Sequence, residues 1–344
     1  SLKAKNCVAG REALYRFCAE HGIAHEKCGK LVLAARASEI PALDAVAAKG
    51  RANGLQKLRR LGREELKEYE PGVAGIAGLW VGETGIVDYA QVCAKYAGII
   101  QGQGGEIRLN FKVSGCRRDG SDFRLLSPAG EARCRGLVNC AGLQSDLVAR
   151  LCGVRPGLQI IPFRGEYYEL AAARRRLVRN LIYPVPDARF PFLGVHFTRR
   201  VGGGVEAGPN AVLAFKRHGY AKTGFSLRDT ARMLGYPGFW IMGLKHWRMG
   251  LGEFHRSFAK GAFVRALQRL LPEIQAGDLK PGGAGVRAQA LDARGRLLDD
   301  FCIQEAERMV HVLNAPSPAA TASLSIGEAI AAVVRRNLSP GRRG

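Results

Sequence analysis

Apolar positions along the 344-residue chain alternate between helical spacing and short strand-like runs. Residues 4–21 place Cys7, Val8, Leu14, Phe17 and Cys18 on one side of a helix. The run 29–35 (GKLVLAA) reads as a strand, followed by a helix at 40–50 and a short helix through EELKEYEP that Pro71 ends. An apolar run at 76–81 and the turn GETG lead into a helix over 88–101, with Asp88 placed as its N-cap. GQGG at 102–105 then reads as a helix terminator, and the segment to Val113 as a strand. Strands at 123–126 and 132–140 flank the turn SPAG, and a helix begins at 147–151. Helices are expected at 226–235 and at 248–271, the second with Pro272 behind it. Strand and turn are expected to return at GVRAQAL, RLLDDF and RMVHVL, before a last helix at 319–336. No run of 18 apolar residues occurs, and the most apolar helix candidates, 92–100 and 326–334, are too short to span a bilayer.

The densest chemistry lies in residues 161–215, where IPFRGEYYEL, YPVPDARFPFLGVHFTRR and GPNAVLAF follow one another. Arg164, Tyr167, Tyr168, Tyr183, His196, Arg199, Asn210 and, just beyond, Lys216 recur on strand-like runs. Half-buried antiparallel strands also carry aromatic and polar residues on opposite faces, so each residue taken singly is compatible with a structural role. In combination they suggest one wall of an anion pocket. GGGVE at 202–206 reads as a hairpin turn within this region.

A chain of this length suggests two domains or one large α/β unit. The nine cysteines show no CxxC pair and no Cys/His ligand spacing, which argues against a zinc site or a disulfide framework and for reduced thiols in a cytoplasmic compartment. The net charge of +22 admits nucleic acid as a partner, but the basic residues are scattered and accompany no helix-turn-helix, RRM or zinc-finger pattern. An acidic substrate, or a peripheral contact with the anionic inner membrane surface, fits the charge better; biased base composition of the source genome would also produce it.

Two further segments could carry chemistry. VNCAGLQSD runs a strand into Ala141 and Gly142, small residues that let a ligand approach the backbone, with a helix start just behind. In the tail, GGAGVRAQALD sets Arg287 behind a glycine-rich turn, and Pro316 and Pro318 stiffen a loop that carries Asn314, Ser317 and Thr321 to a helix start. Either segment alone is equally an ordinary turn or a capped helix.

Together, SLKAK, GKLVLAA, TGIVDY, NCAGLQSD, PFRGEYYEL, YPVPDARFPFLGVHFT, GPNAVLAF, AGVRAQALD and NAPSPAATASL resemble the FAD-dependent L-2-hydroxyglutarate oxidase or dehydrogenase family, within the D-amino-acid oxidase and glycine oxidase superfamily. The resemblance implies an α/β (α+β) fold: a discontinuous Rossmann-like FAD domain, N-terminally incomplete, plus a substrate domain on a mostly antiparallel sheet. It suggests FAD-domain segments at 1–20, 86–159 and 271–338, substrate-domain segments at 21–85 and 160–270, and a disordered tail at 339–344. By similarity Val113 should lie near the adenine. Cys140, Ala141, Gly142 and Ser145 should border the pyrophosphate and ribose, and Asn314, Ala315, Pro316 and Ser317 the isoalloxazine. The family's opening GxGxxG turn is not among these residues, so a βαβ unit of about 30 residues is expected ahead of Ser1.

The implied reaction oxidises L-2-hydroxyglutarate to 2-oxoglutarate, with hydride transfer to flavin N5 and electrons passed to a quinone or O2. Arg287 is the candidate carboxylate clamp, because a guanidinium binds a carboxylate through two parallel bonds. His196 is the candidate base or substrate contact, though a base ahead of Ser1 is equally open. Arg164, Tyr183 and Lys216 are candidates for the distal carboxylate or the pocket wall, and His311 for support of the flavin loop. Oxidation of an amino acid or of glycerol 3-phosphate, or a fragment unable to hold FAD, are the alternatives.

Overall fold

The computed structural model describes residues 2–186 and 194–338, with side chains from Asn6 onward. Helices among them are α1 (Leu2–Glu20), α2 (Ile40–Ala52), α3 (Arg63–Tyr69), α4 (Tyr89–Gly102), α5 (Ser145–Leu151), α6 (Leu227–Leu234), α7 (Pro237–Phe258), α8 (Lys260–Gln268) and α9 (Ser323–Leu338). Residues 187–193 of the word YPVPDARFPFLGVHFT and the tail 339–344 lie outside the described residues.

A nine-stranded sheet organises one half of the molecule. Its order runs Val212–Leu213, Leu158–Leu170, Gly204–Gly208, His196–Arg200, Leu181–Pro184, Lys30–Ala34, Ala77–Val81 and Leu58–Gly62, with Leu279–Asp292 on the far side of Leu158–Leu170. Among the described residues of this sheet, only the pair Leu181–Pro184 and Lys30–Ala34 is parallel. Strand Lys30–Ala34 explains its own sequence: Leu31 and Leu33 enter a core with Phe197, Phe263 and Leu267, while Val32 and Ala34 pack on Leu43 and Ala47 of α2. A strand covered on both faces is apolar at every position rather than at alternate ones. Lys30, which opens that strand, is the exception.

The other half holds a three-stranded sheet, Cys302–Ala306, Met309–Asn314 and Leu137–Asn139, whose last two strands are parallel, beside the antiparallel strands Gly115–Asp119, Asp122–Ser127 and Gly130–Cys134. Helices α1 and α9 pack together here: in α1 a Cβ on Gly10 would stand 2.5 Å from the Ala322 Cα, so only glycine permits this approach. The ribbon of Leu158–Leu170 against Leu279–Asp292, paired from Leu158↔Asp292 to Leu170↔Leu279 with a register shift between Glu166 and Tyr168, joins the halves. The Leu279–Asp292 strand, expected with 271–338, thus belongs to the large sheet along its whole length.

Three expected elements differ. Residues 105–113 form no strand: among the described residues nothing pairs with them, Leu109 is 82% exposed, and Val113 lies in an irregular stretch. The helix expected at 248–271 is preceded by a helical piece from Pro237 that ends in a kink at His246, and it breaks again at Ala259, between α7 and α8. Gly243, Gly250 and Gly252 weaken its local helical signal, and a proline in the first turn marks its start. RLLDDF forms only an isolated bridge, Leu291↔Leu297. The Asp292 carboxylate accepts from the Arg294 and Arg296 N–H groups at 2.9 and 2.8 Å, and the Leu298 and Asp300 carbonyls accept from Gln289 and Asn314, in place of a ladder.

Candidate active site

The parallel pairing of Leu181–Pro184 with Lys30–Ala34 and the antiparallel pairing of Leu181–Pro184 with His196–Arg200 bring Tyr183, Lys30 and His196 together. The Tyr183 ring stacks on the His196 imidazole, centroids 3.8 Å apart and planes 18° from parallel. The Lys30 ammonium lies 5.1 Å from the Tyr183 ring centroid. Arg287 and Tyr167 come from the central ribbon, and the Arg287 charge bears on both His196 and Tyr167.

His196 is buried, and its Nδ1 lies 2.9 Å from the Gly194 carbonyl oxygen. A carbonyl only accepts, so Nδ1 carries the hydrogen and Nε2 keeps its lone pair. Burial, reinforced by the positive charges of Lys30 and Arg287 and opposed by the Gly194 bond, pushes its pKa down to about 4. At neutral pH it is an uncharged imidazole whose Nε2 is an acceptor. Burial also pushes the Lys30 ammonium and the Arg287 guanidinium below their ordinary values, the latter opposed by Tyr167. It pushes the Tyr183 hydroxyl up, against a hydrogen bond with Thr198, and Tyr167 up as well, with Arg287 pulling the other way. Two cations, two phenols and one neutral imidazole therefore share a partly desolvated space.

Lys30 was missed as a site residue from sequence. Its signal was there: one cation at the head of a run that is otherwise apolar at every position.

Arg164 and Lys216 do not join this cluster. The Arg164 guanidinium is buried and donates from Nε and Nη2 to Glu166 at 3.0 and 2.9 Å and from Nη1 to the Ala221 carbonyl at 3.2 Å, which gives it a structural role. Lys216 is exposed. Its neighbour Arg217 turns inward and binds both Asp146 oxygens at 2.6 and 2.8 Å, as well as the Leu143 carbonyl. That pair ties the loop after Val212–Leu213 to α5.

The parallel strands Leu137–Asn139 and Met309–Asn314 both run into loops at the same end, and the crevice outside the carboxyl ends of parallel strands is where α/β folds bind nucleotides. Cys140, Ala141 and Gly142 are exposed there, and a Cβ on Gly142 would meet nothing within 4 Å, so the backbone is open to a ligand. Gly142 has φ of 54°, a conformation that favours glycine. Buried Asn139 holds the turn: its Nδ2 donates to the Ser145 carbonyl at 2.8 Å, lies 3.1 Å from His311 Nδ1, and its Oδ1 accepts from the Ala141 N–H at 3.1 Å. Ala315 and Ser317 are exposed on the neighbouring loop and Pro316 is half-buried.

Two expected cofactor residues face inward instead. The Ser145 hydroxyl is buried and donates to the Leu313 carbonyl at 3.2 Å, and Asn314 Nδ2 binds the Leu298 and Asp300 carbonyls. Both brace the loops rather than line them. His311 is buried behind the same turn.

A family described as FAD dependent oxidoreductase matches residues 1–333. The chain belongs to this FAD-dependent oxidoreductase family. Within it, the chain is 52% identical over 328 residues to L-2-hydroxyglutarate dehydrogenase of Indibacter alkaliphilus, covering 95% of this chain and 82% of that protein. It is 43% identical to L-2-hydroxyglutarate dehydrogenase of Escherichia coli strain K12, covering 99% and 82%. The FAD-bound L-alpha-glycerophosphate oxidase of Mycoplasma pneumoniae shares the fold, with a TM-score of 0.76, 18% identity, and coverage of 97% of this chain and 80% of that one. This oxidoreductase uses FAD, and the open shelf at 140–142 with the loop at 315–317 suits it: small exposed residues where a large planar group would lie, braced from behind by Asn139, Ser145 and Asn314.

Proposed function

We propose that this chain oxidises L-2-hydroxyglutarate to 2-oxoglutarate at the cluster of His196, Lys30, Arg287, Tyr183 and Tyr167. The similarity to the dehydrogenases above supports that substrate, and the fixed tautomer of His196 carries the chemistry. Oxidising a 2-hydroxy acid needs a group that takes the hydroxyl proton, and His196 Nε2 is an acceptor held by the Nδ1 bond to Gly194. FAD, when bound, supplies the two-electron acceptor for the hydrogen on C2. Cys140, Ala141, Gly142 and the loop 315–317 would hold the cofactor, while quinone or O2 is the final acceptor in this reading.

Arg287 binds the carboxylate next to the reacting carbon and Lys30 the distal one. The two cations match a dicarboxylate, and they also keep His196 uncharged until a proton arrives from the substrate.

The test is the pH profile of kcat/KM together with His196→Asn. A base with a pKa pushed to about 4 places the acid limb near that value, well below the ordinary histidine value of about 6.5. His196→Asn is expected to lower kcat by about a hundred- to ten-thousandfold with FAD content unchanged. An acid limb at the ordinary histidine value, or full activity in the asparagine variant, removes His196 from the proposal.

Lys30→Met should raise KM for L-2-hydroxyglutarate by about tenfold or more, since a desolvated charge contact is lost. Turnover of 2-hydroxybutyrate, which lacks the distal carboxylate, should be unaffected. Equal losses on both substrates would place Lys30 at some other task.

A further inference from the structure

Three thiols that the oxidation does not use gather at the end of the helix behind the cofactor shelf. Cys116 on the strand Gly115–Asp119, Cys134 at the end of Gly130–Cys134, and Cys152, the C-cap of α5, all pack against the buried Phe123, Leu137 and Met309. None is in a disulfide, and all three are half-buried. A cavity of about 190 Å³ is lined by Cys116 and Cys152 together with Phe123, Met309 and the exposed ion pair of Arg118 and Glu307, which stand 3.0 Å apart. It has room for several water-sized molecules beside both sulfurs.

Geometry selects one pair of the three. Cys116 and Cys134 lie on the two strands that flank Asp122–Ser127, with Cys116 opposite Leu125 and Cys134 opposite Phe123. Two strand spacings hold their backbones about 9.5 Å apart, beyond the roughly 7 Å that a disulfide spans. Cys152 arrives from a different element, α5, and its thiol hydrogen-bonds with Cys116. Burial pushes the Cys152 thiol up to about 12, reinforced by the charge of Cys116 and by that bond, with a smaller share from Cys134. Cys152 therefore rests as a thiol, and Cys116 is the sulfur placed to react first.

We propose that Cys116 and Cys152 are a thiol pair that a hydroperoxide oxidises to a disulfide, and that this bond clamps α5 to the strand Gly115–Asp119. The Cys116 sulfur attacks the peroxide and the O–O bond breaks: one oxygen stays on sulfur as a sulfenic acid, and the other leaves with the thiol proton as water or an alcohol. The Cys152 sulfur then displaces the sulfenic oxygen, which departs as water with the second thiol proton while the S–S bond forms. Two thiols lose two electrons, and the peroxide gains them. The first step also prepares the second, because a neutral sulfenic acid removes the Cys116 charge that opposes ionisation of Cys152.

The clamp acts on the cofactor shelf through a short helix. At the start of α5 the Ser145 hydroxyl donates to the Leu313 carbonyl, and Asp146 holds Arg217 and the Ile160 N–H. A bond at Cys152 fixes the other end, so the turn at 140–142 in front of α5 opens less often. The inference does not depend on the substrate assigned above.

The experiment treats the FAD-loaded protein, freed of reductant, with hydrogen peroxide, then alkylates it, digests it without reduction and weighs the peptides by mass spectrometry. A peptide pair joined through Cys116 and Cys152 and separated again by dithiothreitol is the expected product. Cys134→Ser should still form it, and Cys152→Ser should not. FAD release after dilution, followed by the fluorescence of free flavin, should slow by about threefold or more in the oxidised protein and recover with dithiothreitol. In Cys152→Ser the release rate should be the same with and without peroxide. Cys116 carried on to a sulfinic acid while Cys152 is still alkylated, a link between Cys116 and Cys134, or no linked peptide at all overturns the pairing. An unchanged release rate in the linked protein overturns the clamp.

Discussion

Arg287→Ala is expected to lower kcat/KM for L-2-hydroxyglutarate by about a hundred- to thousandfold, with most of the loss in KM. The strand register fixes this side chain directly opposite Phe163 on the ribbon that joins the two halves. Burial already works against its charge, so the site holds a guanidinium that gains more from a carboxylate than a solvated one would. Arg287→Lys should recover only part of the loss, because an ammonium cannot form two parallel bonds to a carboxylate. FAD content and thermal stability should stay close to the unsubstituted protein. Kinetics within about threefold of the parent would remove Arg287 from the substrate site.

The largest stability effect is expected at Glu166. This carboxylate is buried and receives Arg164 Nε and Nη2, the Ser257 hydroxyl at 2.8 Å to each oxygen, Asn210 Nδ2 at 3.0 Å, and Lys222 at 3.4 Å. It fastens the C-terminal end of α7 to the Leu158–Leu170 strand. Glu166→Gln strands the Arg164 cation in a buried place, a change that typically costs about 3–5 kcal/mol. Glu166→Gln combined with Arg164→Met should be less destabilised than Glu166→Gln alone, since no unpaired charge remains. Urea unfolding of the three variants measures this, and a single-variant loss below about 1 kcal/mol would contradict it.

The pH dependence follows from the same contacts. Burial works to raise the Glu166 pKa, but the bonds from Ser257, Asn210 and Arg164 and the charge of Lys222 outweigh it and hold the group below its ordinary value. A carboxyl depressed in the folded state binds fewer protons than it does in the unfolded chain. Its stabilisation is complete above the unfolded pKa and is lost as pH falls toward the folded one.

Much of this architecture was legible in the sequence, for identifiable reasons. Asp88 accepts from the Ala90 and Gln91 N–H groups as the N-cap of α4, and Gly104, at φ of 81°, lies just past its end. Local chemistry of this kind is written in a few adjacent residues. The motifs NCAGLQSD and NAPSPAATASL likewise pointed to two adjacent loops at the ends of parallel strands. Roles that depend on long-range partners were not legible. Arg164 looked like an anion contact until Glu166, two residues away on the same strand, proved to hold it with help from Ser257, 91 residues on. Ser145 and Asn314 looked like cofactor contacts because their motifs resemble the family's, yet their side chains satisfy buried carbonyls. Lys30 sat in a run whose apolar character drew attention to packing, and only the pairing with Leu181–Pro184 brings it to the stacked Tyr183 and His196. The segment 105–113 had strand-like composition, but a strand needs a partner for its backbone groups, and composition cannot supply one.

The most direct test of the central claim is anaerobic addition of L-2-hydroxyglutarate to the FAD-loaded protein with the flavin absorbance followed in time. Bleaching of the oxidised flavin band, with one 2-oxoglutarate formed per flavin and no bleaching in His196→Asn on the same timescale, is the predicted result. An unchanged spectrum with L-2-hydroxyglutarate, alongside bleaching by glycerol 3-phosphate or an amino acid, would contradict it.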